Sequence, residues 1–181
     1  MRVISGSARG RVLKALEGEE TRPTTDKVKE SIFNIIQFDI EDKRVLDLFA
    51  GSGQLAIEAI SRGAKSAVAV ENSRRAADII KQNIKNCGFE DYIKIHRGDF
   101  AEVLTKGAKY DVIFLDPPYK SNLISRSLEL IDSFDILSNG GIIICETDSS
   151  VQLPVLSEEK YKYRTYRYGR ILLTVIRKLE D

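Results

Sequence analysis

The chain has 181 residues, 43% of them hydrophobic, enough for one well-covered core and too few for two ordinary domains. Its 28 Lys and Arg against 27 Asp and Glu leave a formal charge of +1, which would argue little for a nucleic-acid partner if it were spread evenly. Two cysteines, Cys87 and Cys145, exclude a disulfide framework and read as buried apolar side chains, and no Cys/His cluster has the spacing of a zinc site.

The charge is not spread evenly. Arg2, Arg9, Arg11 and Lys14 stand without an acid in residues 1–16, as do Lys160, Lys162, Arg164, Arg167, Arg170, Arg177 and Lys178 in residues 160–178. The start has no apolar leader, and no apolar run approaches the roughly 18 residues that span a bilayer. These features predict a soluble cytoplasmic protein with no membrane partner.

In chain order, Arg2–Ile4 and Val12–Lys14 flank Gly6 and Gly10 as a small basic hairpin, and Thr24-Thr25-Asp26 starts a helix through about Gln37. From residue 44 short apolar runs alternate with helix-period stretches, the mark of βαβ units and a parallel sheet. Strands are expected at Arg44–Leu48, Ser66–Val70, about Tyr92–His96, Tyr110–Leu115 and Gly141–Glu146. Helices are expected at Gln54–Arg62 with Gly63 as its stop, from a Ser73 cap to Cys87 with Gly88 as its stop, at about Phe100–Leu104, and near Leu123–Phe134. Tyr161–Tyr168 and Ile171–Arg177 flank Gly169 and predict an antiparallel hairpin, so the sheet is mixed.

Two loops carry the chemistry. In Asp47-Leu48-Phe49-Ala50-Gly51-Ser52-Gly53 a strand runs into a glycine turn that opens a helix, where a ligand can approach backbone N–H groups. Gly51 to Ala56 also satisfies the dinucleotide pattern G-x-G-x-x-A, so a nicotinamide or flavin oxidoreductase competes. Glu71, 20 residues after Gly51, suits the ribose of any adenosine cofactor and does not discriminate. Asp47 does: a carboxylate repels a pyrophosphate but attracts the ammonium and sulfonium of S-adenosylmethionine. Asp99 stands where an acid could accept from an adenine amino group.

Asp116-Pro117-Pro118-Tyr119 follows an apolar strand and so falls at the edge of the sheet where open α/β folds bind ligands. A nucleobase amine is a weak nucleophile, and two acceptors on its N–H bonds turn its lone pair toward a methyl donor. Asp116 offers one acceptor and the Pro117 carbonyl, fixed by the two prolines, the second. Tyr119 offers a face for a base taken out of its stack. Such catalysis rests on alignment, with no metal and no nucleophilic side chain required.

These blocks resemble the small bacterial 16S ribosomal RNA guanine-N2 methyltransferases over nearly the whole chain. The resemblance rests on Arg2-Val3-Ile4-Ser5-Gly6 with Arg9-Gly10-Arg11, on Arg22-Pro23-Thr24-Thr25-Asp26 before Phe33-Asn34, on the Asp47 loop and on Asp116 to Tyr119. It implies a Rossmann-like class I methyltransferase fold: a seven-stranded, mostly parallel sheet with a C-terminal antiparallel hairpin, helices on both faces and a small N-terminal hairpin. It implies one domain, with residues 1–21 as a basic extension and 22–181 as the catalytic core. It also implies S-adenosylmethionine held by Asp47, Phe49, Gly51, Gly53, Glu71, Asn72, Asp99 and Phe100, with Arg22 and Thr24 lining the same cleft. The implied acceptor is the N2 amine of a guanine in 16S rRNA, within the small ribosomal subunit or an assembly intermediate, flipped against Asp116 to Tyr119.

Arg2, Arg9, Arg11 and Lys14 are the better RNA-contact candidates, since alternating Tyr and Lys/Arg over Tyr161–Tyr168 is what a half-exposed strand shows. His96 stands alone, with no carboxylate or serine motif around it, and is not expected to act as a base. Two alternatives stay open: an adenine-N6 methyltransferase using the same loop on DNA or RNA, and a non-catalytic RNA-binding assembly factor on this fold.

Overall fold

A computed structural model describes residues 1–16, 26–118 and 122–180. The elements run α1 (Asp26–Ile35), β1 (Arg44–Asp47), α2 (Gln54–Ser61), β2 (Ser66–Glu71), α3 (Arg74–Cys87), β3 (Ile93–Arg97), β4 (Tyr110–Leu115), α4 (Leu123–Ser133), β5 (Leu137–Asp148), β6 (Tyr161–Tyr168) and β7 (Ile171–Lys178). The strands form one seven-stranded sheet in the order β3-β2-β1-β4-β5-β7-β6. The first five run parallel, and β7 and β6 are antiparallel.

Each face of the sheet is covered, as the near-continuous apolar strands require. Val45, Ala69, Phe114 and Ile144 point to the side of α1, α2 and α3, where Phe33, Ile57 and Ile80 pack. Their chain neighbours Leu46, Val70, Ile113 and Ile143 point to the other side, against Leu128 and Ile131 of α4. Helix α3 begins at the expected cap, with Ser73 accepting from the Ala76 amide, and ends at Gly88 in the left-handed region.

Some expectations need correction. Helix α1 ends at Ile35, two residues short, because the chain turns back through an Asp39 N–H to Ile36 carbonyl bond. Its expected start at Thr24 and Thr25 lies outside the described residues. The short helix after β3 is a three-residue 3-10 turn, Phe100–Glu102. Strand β5 starts at Leu137 rather than Gly141, with a register shift that Gly140, at φ 70°, accommodates. Cys145 is buried, which pushes its thiol up to about 12, but Cys87 is only half-buried.

The N-terminal hairpin is a single antiparallel bridge, Arg2 to Val12, flanked by the Val3 N–H to Arg11 carbonyl bond. It is bolted to α2. The Ile4 and Ser5 amides donate to the Glu58 carboxylate at 2.8 and 3.0 Å, and the Ser7 amide donates to the Ser61 carbonyl. A Cβ on Gly6 would lie 1.7 Å from that same carbonyl oxygen, so only glycine allows the approach.

Candidate active site

The parallel strands deliver four carboxylates to one face at their C-terminal ends. Asp47 of β1 is level with Ala69 of β2 and Phe114 of β4, and Phe114 is level with Ile144 of β5. Side chains alternate along a strand, so Glu71, Asp116 and Glu146, each two residues further on, share Asp47's face and sit one pleat nearer the rim.

Asp47 is therefore the deep member, only 1% exposed. Neither of its carboxylate oxygens has a hydrogen-bond partner among the described residues. Burial, and then the neighbouring Asp116 and Glu71 charges, push its pKa up to about 7; the Phe49 and Ala56 amides lie near enough to oppose this without reaching hydrogen-bond geometry. A buried carboxylate without a partner is costly, and a cation on a ligand is the natural relief.

The loop above it has the expected shape. Gly51 and Gly53 take φ of 55° and 78°, and Gly53 opens α2. Glu71 clamps this loop: its two oxygens accept from the Gly51 and Ser73 amides, both at 2.9 Å. Beside it Asn72 is exposed, and Phe49 lies 5.3 Å from the buried Phe100 ring, which Arg126 covers from 5.5 Å. Asp99 is exposed and caps the 3-10 turn by accepting from the Ala101 amide. These positions bring amides at a helix start, an acid, a pair of aromatic rings and a buried carboxylate together at the C-terminal ends of the parallel strands.

On the neighbouring strand Asp116 is half-buried, Pro117 buried and Pro118 exposed. Tyr119, Arg22 and Thr24 lie outside the described residues. Arg2, Arg9, Arg11 and Lys14 are all exposed on the N-terminal extension. His96 is not alone as expected: the 3-10 turn brings Glu102 to 2.8 Å from its Nε2.

Sequence reasoning missed Asn83. Its buried carboxamide donates to the Ser52 carbonyl at 2.9 Å and to the Lys14 carbonyl at 3.0 Å, and accepts from the Lys14 amide at 2.8 Å. One side chain thus ties the basic extension to the glycine loop. A lone Asn in a helix gives no sign of this.

A cleft of about 660 Å³ opens at the opposite edge of the sheet, lined in part by Lys109, Asp135 and Lys178. There Asp135 accepts from both lysines, so these three charges satisfy one another. Among the described residues no helix is long and apolar enough to cross a membrane, and no three His, Cys, Asp or Glu side chains are grouped to hold a metal.

Known proteins resemble this chain along most of its length. A family model described as "Conserved hypothetical protein 95" matches residues 1–177. The Bacillus subtilis protein named "Putative rRNA methyltransferase YlbH" is 43% identical over 182 residues, spanning 98% of this chain and 99% of the relative. The ribosomal RNA small subunit methyltransferase D of Haemophilus influenzae is 35% identical over 165 residues, spanning 89% of this chain and 84% of the relative. The solved structure of yhhF from Escherichia coli superposes with a TM-score of 0.89 at 27% identity, over 100% of this chain and 99% of that one. The fold is thus the Rossmann-like methyltransferase fold, and the chain belongs to the Conserved hypothetical protein 95 family, as a relative of the ribosomal RNA small subunit methyltransferase D proteins.

Proposed function

We propose that this chain transfers a methyl group from S-adenosylmethionine to the exocyclic N2 amine of a guanine in 16S rRNA, within the small ribosomal subunit or an assembly intermediate. The observation that carries the reading is the buried, unpartnered Asp47 carboxylate one pleat beneath Asp116. It suits a ligand that brings an ammonium, and it is unsuited to a pyrophosphate.

The cofactor residues fit the group. Asp47 pairs with the ammonium, Gly51 and Gly53 admit the ligand backbone, and Glu71 accepts from the ribose through its remaining lone pairs. Asn72, Asp99, Phe49 and Phe100 enclose the adenine, and Arg22 and Thr24 contribute further contacts to the cofactor. When bound, the cofactor supplies an electrophilic methyl on a sulfonium.

This chain's own work is alignment. Asp116 and the Pro117 carbonyl accept hydrogen bonds from the two N2–H groups and direct the lone pair, Asp116 or solvent takes the one proton released as the methyl group leaves sulfur, Pro118 stiffens the turn, and Tyr119 stacks on the flipped base. Arg2, Arg9, Arg11 and Lys14 bind phosphates without reading sequence. The same reading makes residues 1–181 one methyltransferase domain, a basic extension of 1–21 on a core of 22–181, working in the cytoplasm without a resident metal.

Calorimetry with S-adenosylmethionine and, separately, NAD tests the cofactor half: binding of the first and not the second is expected. Asp116→Ala should keep that binding and lose transfer to RNA. Binding of NAD with no affinity for S-adenosylmethionine would reject the reading.

A further inference from the structure

Strand β5 brings a second carboxylate to the catalytic edge that the mechanism above does not use. Glu146 is 4% exposed, among the most buried acids of the chain. The register pairs Leu115 with Cys145, so Glu146 follows level with Asp116 on the adjacent parallel strand. It faces the side of Asp116 and Asp47, as Ile142 and Ile144 of its own strand show. Neighbouring strands lie about 4.8 Å apart, a spacing at which two carboxyl groups can meet adjacent atoms of one base edge. On the far side Glu146 is paired with Leu173 of β7, an apolar wall.

The chemistry of that edge is decisive. Guanine presents its 2-amino group and its N1–H side by side, a row of donors. Adenine presents N1 as a bare acceptor beside its 6-amino group. A carboxylate next to the amine-holding pair attracts the first arrangement and repels the second, and a buried one does so strongly because no water screens it.

We propose that Glu146 reads the base: its carboxylate accepts the N1–H of the guanine whose 2-amino group Asp116 and Pro117 hold. This rests on the guanine-N2 reading above and explains how the catalytic edge itself tells guanine from adenine.

The test uses small subunits reconstituted with RNA in which the methylated guanine is replaced by 2-aminopurine, which keeps the 2-amino group but has an acceptor at N1. The native chain should lose about 10- to 100-fold in kcat/KM on this substrate, the worth of one charge-assisted hydrogen bond. Glu146→Gln should lose a similar factor on guanine and less on 2-aminopurine, because its carboxamide can donate to the bare N1, so the preference collapses. Glu146→Asp should keep the preference at a lower rate. Retained binding of S-adenosylhomocysteine and an unchanged melting profile show that a variant is folded.

Equal rates of the native chain on guanine and 2-aminopurine overturn the assignment, whatever the variants do. So does a folded Glu146→Gln with native selectivity, and in that case the guanine-N2 reading still stands. A native product of N6-methyladenine overturns both, since adenine has no N1–H to accept.

Discussion

Lys29 and Glu58 face each other at 3.4 Å with neither side chain exposed, and between them they fasten the N-terminal extension to the core. The Lys29 ammonium donates to the Arg2 carbonyl, while Glu58 accepts from the Ile4 and Ser5 amides and from Arg62. Desolvation lowers the Lys29 pKa, and the Glu58 charge opposes this most strongly. Breaking such a buried pair strands a charge, so Lys29→Met should cost about 3–5 kcal/mol in a urea melt. Glu58→Ala should also free the Ile4 and Ser5 amides to exchange with solvent, which hydrogen exchange reads directly.

Asn83→Ala should weaken both things that Asn83 joins. Losing its bonds to Ser52 and Lys14 leaves part-buried backbone groups unsatisfied, at a cost of about 1–3 kcal/mol in unfolding free energy. S-adenosylmethionine affinity should fall with it, because the glycine loop loses a tether. Full cofactor affinity in a destabilised Asn83→Ala would show the tether to be structural only.

Asp47 gives a pH dependence with a definite sign. Its folded pKa is raised from 3.8 to about 7, so its favourable contribution to stability is full below pH 3.8 and is lost as pH rises through about 7. Asp47→Asn should therefore make the ligand-free protein more stable at pH 8 by about 1–3 kcal/mol and flatten its stability profile between pH 4 and 7. Cofactor binding has the opposite trend. The ionised carboxylate pairs with the ammonium, so affinity in the native chain should rise as pH passes about 7, with proton release measurable by calorimetry in buffers of different ionisation enthalpy.

The exposed Arg9 and Arg11 should act through phosphates alone. Replacing both with Glu should weaken RNA binding and reduce the slope of log affinity against log salt by about 2, while leaving cofactor affinity unchanged. An unchanged salt slope would move the RNA path elsewhere.

Much of this molecule is legible from residue order. Strand ends carrying Asp47 and Asp116, the Ser73 cap and the Gly88 stop are local signals, and the structure has each of them. Register is not local. That Glu146 lies level with Asp116 depends on a shift near Gly140, ahead of the strand expected from Gly141. Glu58 and Asn83 are equally silent, since the backbone groups they bind lie 31 to 69 residues away. Lys29 is 0% exposed because it donates to the Arg2 carbonyl of the extension, a contact its own helix does not announce.

The most direct test of the central claim incubates the chain with methyl-labelled S-adenosylmethionine and, separately, naked small-subunit RNA, assembled small subunits and duplex DNA, then identifies the labelled nucleoside by mass. N2-methylguanosine from RNA or subunits, absent with Asp116→Ala, is the predicted result. N6-methyladenine, or no transfer to any of the three despite cofactor binding, would contradict it.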